Sequence, residues 1–345
     1  MKEPKVIAID LAKSVFQVCL FDRRMQVVSN KAMSRKVLLR FLSNHPASLV
    51  ALEACGGSHY WGRQAQGFGH RVVIIPPNRV TPYRQGQKND GNDALAIGIA
   101  SQQTKLKTVG VKTLEQQSVQ CDKRVQEHFS DHLTATGNLL RALVAEFGLV
   151  LPKGIAALKR ELPGMLEDAE NGLPDAMRES LNLAWQQWQH LSQLQGQSEQ
   201  LLNQRVQSLE PCQRLLALEG IGTKNALSLY VRIGNGHHFK NGRETAACVG
   251  LTPQQHSTGG KTKLGSIGKF RGDQRLRSSL ILGARAAVNA LMKRAPKNTK
   301  EVWLKALVDR RGAGRAAVAL ANKNIRTAWA LLHNNTTYEP QPLAG

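Results

Sequence analysis

The sequence predicts an α/β N-terminal region, a helical middle and a mainly α C-terminal region, and three observations predict it. Short β-branched runs alternate with helical periodicity over residues 1–105; leucine and tryptophan recur at heptad spacing in the middle; Gly-punctuated helical patterns follow. Charge divides the chain at the same places. Lys and Arg number 47 against 25 Asp and Glu, a net charge of +22. Residues 1–105 carry +9 of it, residues 106–210 carry −3 and residues 211–345 carry +16. At 345 residues, two or three domains are expected, each able to bury a core.

Composition excludes several classes. Apolar residues make up 41% and charged residues 21%, an ordinary globular mixture and not a disordered polycation. No apolar run approaches the ~18 residues of a membrane span, and the apolar segment after Pro4 stops at Asp10, unlike a signal peptide. Cys19, Cys55, Cys121, Cys212 and Cys248 lie far apart with no C-x-x-C pair, which removes the zinc ribbon and the disulfide scaffold. Reduced cysteines fit a cytoplasmic protein. A folded chain this basic meets a polyanion, because neutralising phosphates releases counterions.

In the first region, Val6–Asp10 and Val15–Phe21 are strand-like, and Met25–Ser29 is a third candidate strand after the Asp22-Arg23-Arg24 turn. Ser34 can cap a helix bearing Val37, Leu38, Phe41 and Leu42 at helical spacing. Leu49–Glu53 reads as a strand, the Gly56-Gly57-Ser58 turn leads to a helix around His59–Gly67, and Arg71–Ile75 is a further strand stopped by Pro76-Pro77. A polar loop follows, and Asp93–Gln103 is again helical. The sum is a mixed sheet with helices on its faces.

In the middle, Leu181, Trp188, Leu202 and Leu209 fall on one heptad position, interrupted by Gln195 and Ser198. That spacing suits a two-helix coiled-coil hairpin, whose seam either serves dimerisation or packs within its own chain. Trp185 and Trp188 are read as helix packing. With aromatics at 5%, a base-stacking platform is not expected. The tail, residues 334–345, is expected to be disordered.

The third region opens with Leu218-Glu219-Gly220-Ile221-Gly222-Thr223-Lys224, a Gly-x-Gly turn between helical patterns. It resembles a helix-hairpin-helix element, in which Gly220, Gly222 and Lys224 would grip a nucleic-acid phosphate. From Gly250 to Asp273 runs a Gly-rich loop, and Gln274 opens a helix. Its glycines let backbone approach a ligand, and Lys261, Lys263, Lys269, Arg271, Arg275 and Arg277 suit phosphate contacts. His237-His238 have no cysteine or spaced histidine partner and are read as loop residues. Ser278 and Ser279 are read as helix-surface residues.

Only six acids occur in residues 1–105, and four of them end or begin elements: Asp10, Glu53, Asp90 and Asp93. Asp90 and Asp93 share a face if one helix includes both. Such a nest could hold one or two Mg2+ ions, which take oxygen ligands, and two ions would stabilise attacking and leaving oxygens in phosphoryl chemistry. A rival reading of Asp10-Leu11-Ala12-Lys13-Ser14 is the first phosphate loop of an actin-like sugar kinase. That loop requires a glycine which Leu11-Ala12 does not supply.

The ordered set Asp10, Glu53, Asp90-x-x-Asp93, then Leu251-Thr252-Pro253, Ser257-Thr258-Gly259-Gly260-Lys261 and Leu264-Gly265-Ser266-Ile267-Gly268-Lys269, resembles the DEDD transposases of bacterial insertion sequences. These are bridge-RNA-guided serine recombinases, similar also to the pilin-gene inverting recombinase. The resemblance covers residues 5–105 and 210–310. It implies a RuvC-like (RNase H fold) metal-binding domain over residues 1–105, a coiled-coil linker and dimerisation region over 106–210, and a C-terminal transposase domain over 211–333. It implies Mg2+ on Asp10, Glu53, Asp90 and Asp93, and a covalent phosphoserine link to DNA at Ser257. The partners implied are double-stranded donor and target DNA, a noncoding guide RNA and further copies of the chain, acting at the nucleoid. Where the family commonly shows two adjacent serines, the second here is Thr258, so Thr258 and Ser266 are lesser candidates. Two other functions remain open at this stage: a RuvC-like nuclease that activates water, with Ser257 a bystander, and a noncatalytic RNA- or DNA-binding protein.

Overall fold

The computed structural model describes residues 6–87, 89–268 and 272–343. Its contacts divide the chain into two units, Met1–Glu115 and Gln116–Gly345.

In the first unit β1 (Val6–Asp10), β2 (Val15–Phe21) and β3 (Val27–Ser34) form an antiparallel meander. β4 (Leu49–Glu53) runs parallel to β1 on its other side, and β5 (Arg71–Ile75) parallel to β4, giving the order β3-β2-β1-β4-β5. α1 (Arg35–Asn44) and α2 (Ser58–Gly67) make the two crossovers that parallel pairing requires. The short α3 (Pro77–Val80) then leads toward α4 (Asp90–Ala100). This mixed sheet is compatible with the RNase H-like expectation. β3 begins later and runs further than the run Met25–Ser29, because its pairing with β2 continues to Ser34 opposite Val15. It is mostly exposed, so periodicity carries little signal there.

Strand alternation sorts the core into two layers. Val6 and Ala8 of β1 and Leu49 and Ala51 of β4 pack with Ala94 and Ile97 of α4. Ile7 and Ile9, with Val50 and Leu52, pack on the opposite face against Leu38 and Leu42 of α1 and Trp61 of α2.

The chain continues along α5 (Leu114–Ala145), α6 (Ile155–Glu167) and α7 (Asp175–Ser208). Leu181 and Trp188 are fully buried against Leu140, Leu158 and their neighbours, and Leu202 joins a cluster with Val119. Arg205 donates to Asp122 at 2.9 Å, tying α7 to α5. The heptad row is therefore covered by α5 and α6 of the same chain. Burial of its leucines is satisfied within the chain.

α8 (Glu210–Leu216), α9 (Thr223–Ile233), α10 (Gly242–Val249), α11 (Gln274–Leu291), α12 (Thr299–Arg311) and α13 (Ala313–Asn334) enclose a further core that includes Leu320, Ile325 and Leu331 of α13. Asn241, Asp273 and Asn298 start α10, α11 and α12 by accepting from the backbone N–H three residues on, at 2.9 to 3.0 Å. Two expectations change here. The Gly-rich loop contains a β-hairpin, β6 (Pro253–Thr258) and β7 (Lys261–Ile267), because Gly259 and Gly260 both hold positive φ, the form a two-residue hairpin turn needs. The tail is held through residue 343: Tyr338 packs on the core with its hydroxyl on Glu219, and Pro342 bridges to Asn298. Among the described residues no helix is long and apolar enough to cross a membrane.

Candidate active site

The acid quartet follows from strand parity. Asp10 has the parity of Val6 and Ala8, and Glu53 that of Leu49 and Ala51, so both carboxylates emerge on the α4 side of the sheet. Ile9 lies opposite Leu52 in the parallel pair, which places Asp10 and Glu53 side by side at the carboxyl ends of neighbouring strands. Open α/β sheets bind ligands at that edge. Asp90 and Asp93 both fall in the first turn of α4, where the helix dipole favours negative charge. Asn89 caps the helix, accepting from the Asn92 N–H at 2.8 Å. Asn30 of β3 donates to the Gly91 carbonyl at 2.9 Å and accepts from Gln17 at 2.7 Å, fastening the helix start to the meander.

Asp10 feels the charges of the other three acids. Asp10 is raised from 3.8 to about 6, first by burial, then by the negative charges of Asp93, Asp90 and Glu53, against the opposing pull of Arg84. Burial, with Glu53 and Asp10 next, pushes the neighbouring Cys55 thiol up to about 11. Arg84 pairs with Asp93. Spacing offered no signal for Arg84, which is one of several basic residues in the loop before α4 and is singled out only by the pairing. Among the described residues no three acidic, histidine or cysteine side chains close on one point as a finished metal shell. The donor set nevertheless fits a hard divalent cation: all oxygen, partly buried, and carrying repulsion that a cation would relieve.

Ser257 lies in the second unit on β6, paired with Thr262, and Gln255 donates to its hydroxyl at 3.3 Å. It is exposed, two residues before the glycine turn. By the register Ser257 shares a face of the hairpin with Gln255, Thr262 and Leu264, whereas Thr258, Lys261 and Lys263 occupy the other face. Lys261 and Lys263 are exposed; Lys269 and Arg271 lie outside the described residues.

Several expected phosphate contacts have partners within the chain. Arg277 is buried, with its guanidinium donating to the Val249 carbonyl at 3.1 Å, because it sits on the inner face of α11. Arg275 is exposed but held by Glu127 at 3.2 Å and Asp131 at 2.7 Å on α5. Lys224 pairs with Glu199 at 2.8 Å. The turn between α8 and α9 does form, but Gly220, at φ +78°, is pressed against the backbone of Gly283 on α11. Gly222 starts α9 with open space around it.

A DEDD transposase model of the IS110 type, described as Transposase, matches residues 7–148. The model Transposase IS116/IS110/IS902 family matches residues 212–299. The chain is 38% identical to the transposase for insertion sequence element IS1111A of Coxiella burnetii, across 98% of this chain and 92% of that protein. The chain belongs to the IS110/IS116 transposase family. This transposase is also 41% identical to a probable family 20 transposase of Pseudomonas aeruginosa, across 97% of this chain and 98% of that one. Similarity to the pilin gene-inverting protein of Moraxella bovis, at 36%, is confined to 95 residues, or 27% of the transposase. As an enzyme it is a DNA transposase of insertion sequences, and the two family matches include the acid quartet and the Ser257 hairpin respectively.

Proposed function

We propose that this transposase cuts and exchanges DNA strands through a covalent link at Ser257, assisted by Mg2+ at Asp10, Glu53, Asp90 and Asp93. The observation that carries the reading is the placement of Asp10 and Glu53 at neighbouring strand ends with Asp90 and Asp93 in the first turn of α4, where burial first, and the charges of the other three acids next, raise Asp10 to about 6. In a chain of net charge +22, such a nest repels DNA unless a cation intervenes. Bound Mg2+ would supply charge stabilisation for the attacking and leaving oxygens of a phosphodiester.

The chain's own residues do the rest. The Ser257 hydroxyl is exposed on a hairpin whose turn is only two glycines, so a bulky strand can reach it. Its oxygen attacks phosphorus; a new Oγ–P bond forms, one P–O ester bond breaks, and the departing sugar oxygen takes the proton released from the hydroxyl. The ester bond energy is kept in the phosphoserine, so a second sugar hydroxyl can reverse the step on a different strand without ATP. Lys261 and Lys263, on the opposite face of the hairpin, would hold flanking phosphates. The partners proposed are double-stranded donor and target DNA, a noncoding guide RNA and further copies of the chain. Strand exchange of this kind also agrees with the partial likeness to a pilin gene-inverting protein.

The test incubates the full chain and RNA transcribed from the sequence flanking its gene with nicked target DNA and Mg2+, and looks for a protein–DNA adduct. An adduct that is lost in Ser257→Ala supports the reading. Cleavage undiminished in Ser257→Ala overturns the serine assignment in favour of metal-activated water. Tight binding without cleavage in any condition reduces the protein to a binding module.

A further inference from the structure

Positive charge in the second unit comes in two kinds. Arg275, Lys224 and Arg205 are each neutralised by carboxylates of the same chain. Arg243, Arg315, Lys323 and Arg326 are not: among the described residues no carboxylate lies within ion-pairing distance of any of them. These four line one cleft of about 1000 Å3 formed by α10, α12, α13 and the base of the β6–β7 hairpin. On α13 the spacing Arg315, Ala319, Asn322, Arg326 makes a single stripe along the helix, and Arg243 faces it from the start of α10.

The cleft is not merely basic. Trp303 and Trp329 form parts of its wall, and Leu251 and Val318 contribute apolar surface. Lys323 lies over the Trp303 ring at 4.4 Å, and Trp329 donates to the Gly236 carbonyl at 3.0 Å, so both indoles are held in place. Pro253 and Ile267, paired across the base of the hairpin that carries Ser257, complete one side. Cations beside aromatic and apolar surface in one cleft match a nucleotide whose base is out of its stack: phosphates meet the cations and the base meets the wall. A duplex backbone would use the cations but not the interior.

We propose that this cleft binds an unpaired nucleotide segment of the nucleic acid handled by the hairpin. The proposal rests on the transposase reading only in taking nucleic acid as the ligand. DNA and RNA present the same phosphate and base chemistry, and the experiment separates them.

Binding of labelled single-stranded DNA, single-stranded RNA and duplex DNA to the full chain would be measured against salt for wild type, Arg315→Gln/Arg326→Gln, and a charge-matched control, Arg310→Gln/Arg311→Gln, at the exposed end of α12. The cleft variant is expected to lose about tenfold in single-strand affinity, with the salt slope reduced by roughly 1.4 for two lost phosphate contacts. Duplex binding and the control should change far less. The same single strands should quench tryptophan emission of the wild type, and Trp303→Phe should remove much of that quench. A larger loss on DNA than on RNA, or the reverse, identifies which strand occupies the cleft. Equal loss on single strand and duplex, or equal loss in the control, overturns the proposal. So does unchanged binding in the cleft variant while the wild type binds. A wild type that binds no nucleic acid at all overturns the transposase reading along with it.

Discussion

Arg84 pairs with Asp93 at the start of α4, so the acid cluster contains a positive charge of its own. Asp93 is buried, and without that partner its carboxylate would be left desolvated, with Asp10 as a neighbouring negative charge. Arg84→Ala is expected to destabilise the metal-free protein by about 1–3 kcal/mol, the range for unpairing a buried polar group. Mg2+ should recover more stability in the variant than in wild type, because it replaces the missing charge. Thermal unfolding with and without Mg2+ checks this; equal recovery in both proteins would separate Arg84 from the cation's role.

Asp10→Asn should make the metal-free protein more stable and the enzyme inactive. Folded Asp10 takes its proton near pH 6 against 3.8 ordinarily, so the folded state holds the extra proton, and stability falls as pH rises from about 4 to about 6. Removing the charge should return about 1 kcal/mol above pH 6, after discounting for solvent screening, and nothing below pH 4. Chemical denaturation at pH 4 and pH 7.5 reads the difference. A variant less stable than wild type at pH 7.5 would contradict a folded-state cost for the buried Asp10 charge.

Gly283→Ala should destabilise the second unit, although alanine normally favours a helix. A Cβ at Gly283 would overlap the Gly220 carbonyl oxygen, and neither backbone can retreat without opening the core. The expected cost is about 1–3 kcal/mol, the range for overpacking, in place of the usual gain of up to about 1 kcal/mol. Urea unfolding of the two proteins distinguishes the signs.

Removing Lys261 and Lys263 together should lower affinity for duplex DNA and reduce the salt slope by about 2. Arg275→Ala should do much less, since Glu127 and Asp131 already neutralise it. If Arg275→Ala cost as much as the lysine pair, its ion pairs would have to open on DNA. Binding titrations at several salt concentrations give both numbers.

The acids were legible before any fold was known because strands and a helix start announce themselves locally. Asp10 and Glu53 end β-branched runs, and Asp90-x-x-Asp93 precedes a helical pattern. Their common face follows from alternation once the strands are paired in parallel. The hairpin is not legible locally: β6 and β7 are polar, so periodicity is silent, and Gly259 and Gly260 stand out from the other glycines of the loop only once their paired positive φ is seen.

The sequence by itself determined the order of strands and helices in the first region, the placement of four acids at their ends, the family and the three-part distribution of charge, since each depends on residue type and short-range spacing. Tertiary structure decided which charges are available. Composition counts Arg275, Arg277 and Lys224 alongside Lys261 and Arg315, but partners from distant segments bury or neutralise the first three and leave the other two exposed. It likewise decided that the heptad row is spent inside the chain and that Gly220 serves packing against Gly283. Pairing and burial depend on contacts between residues tens of positions apart, which no local spacing encodes.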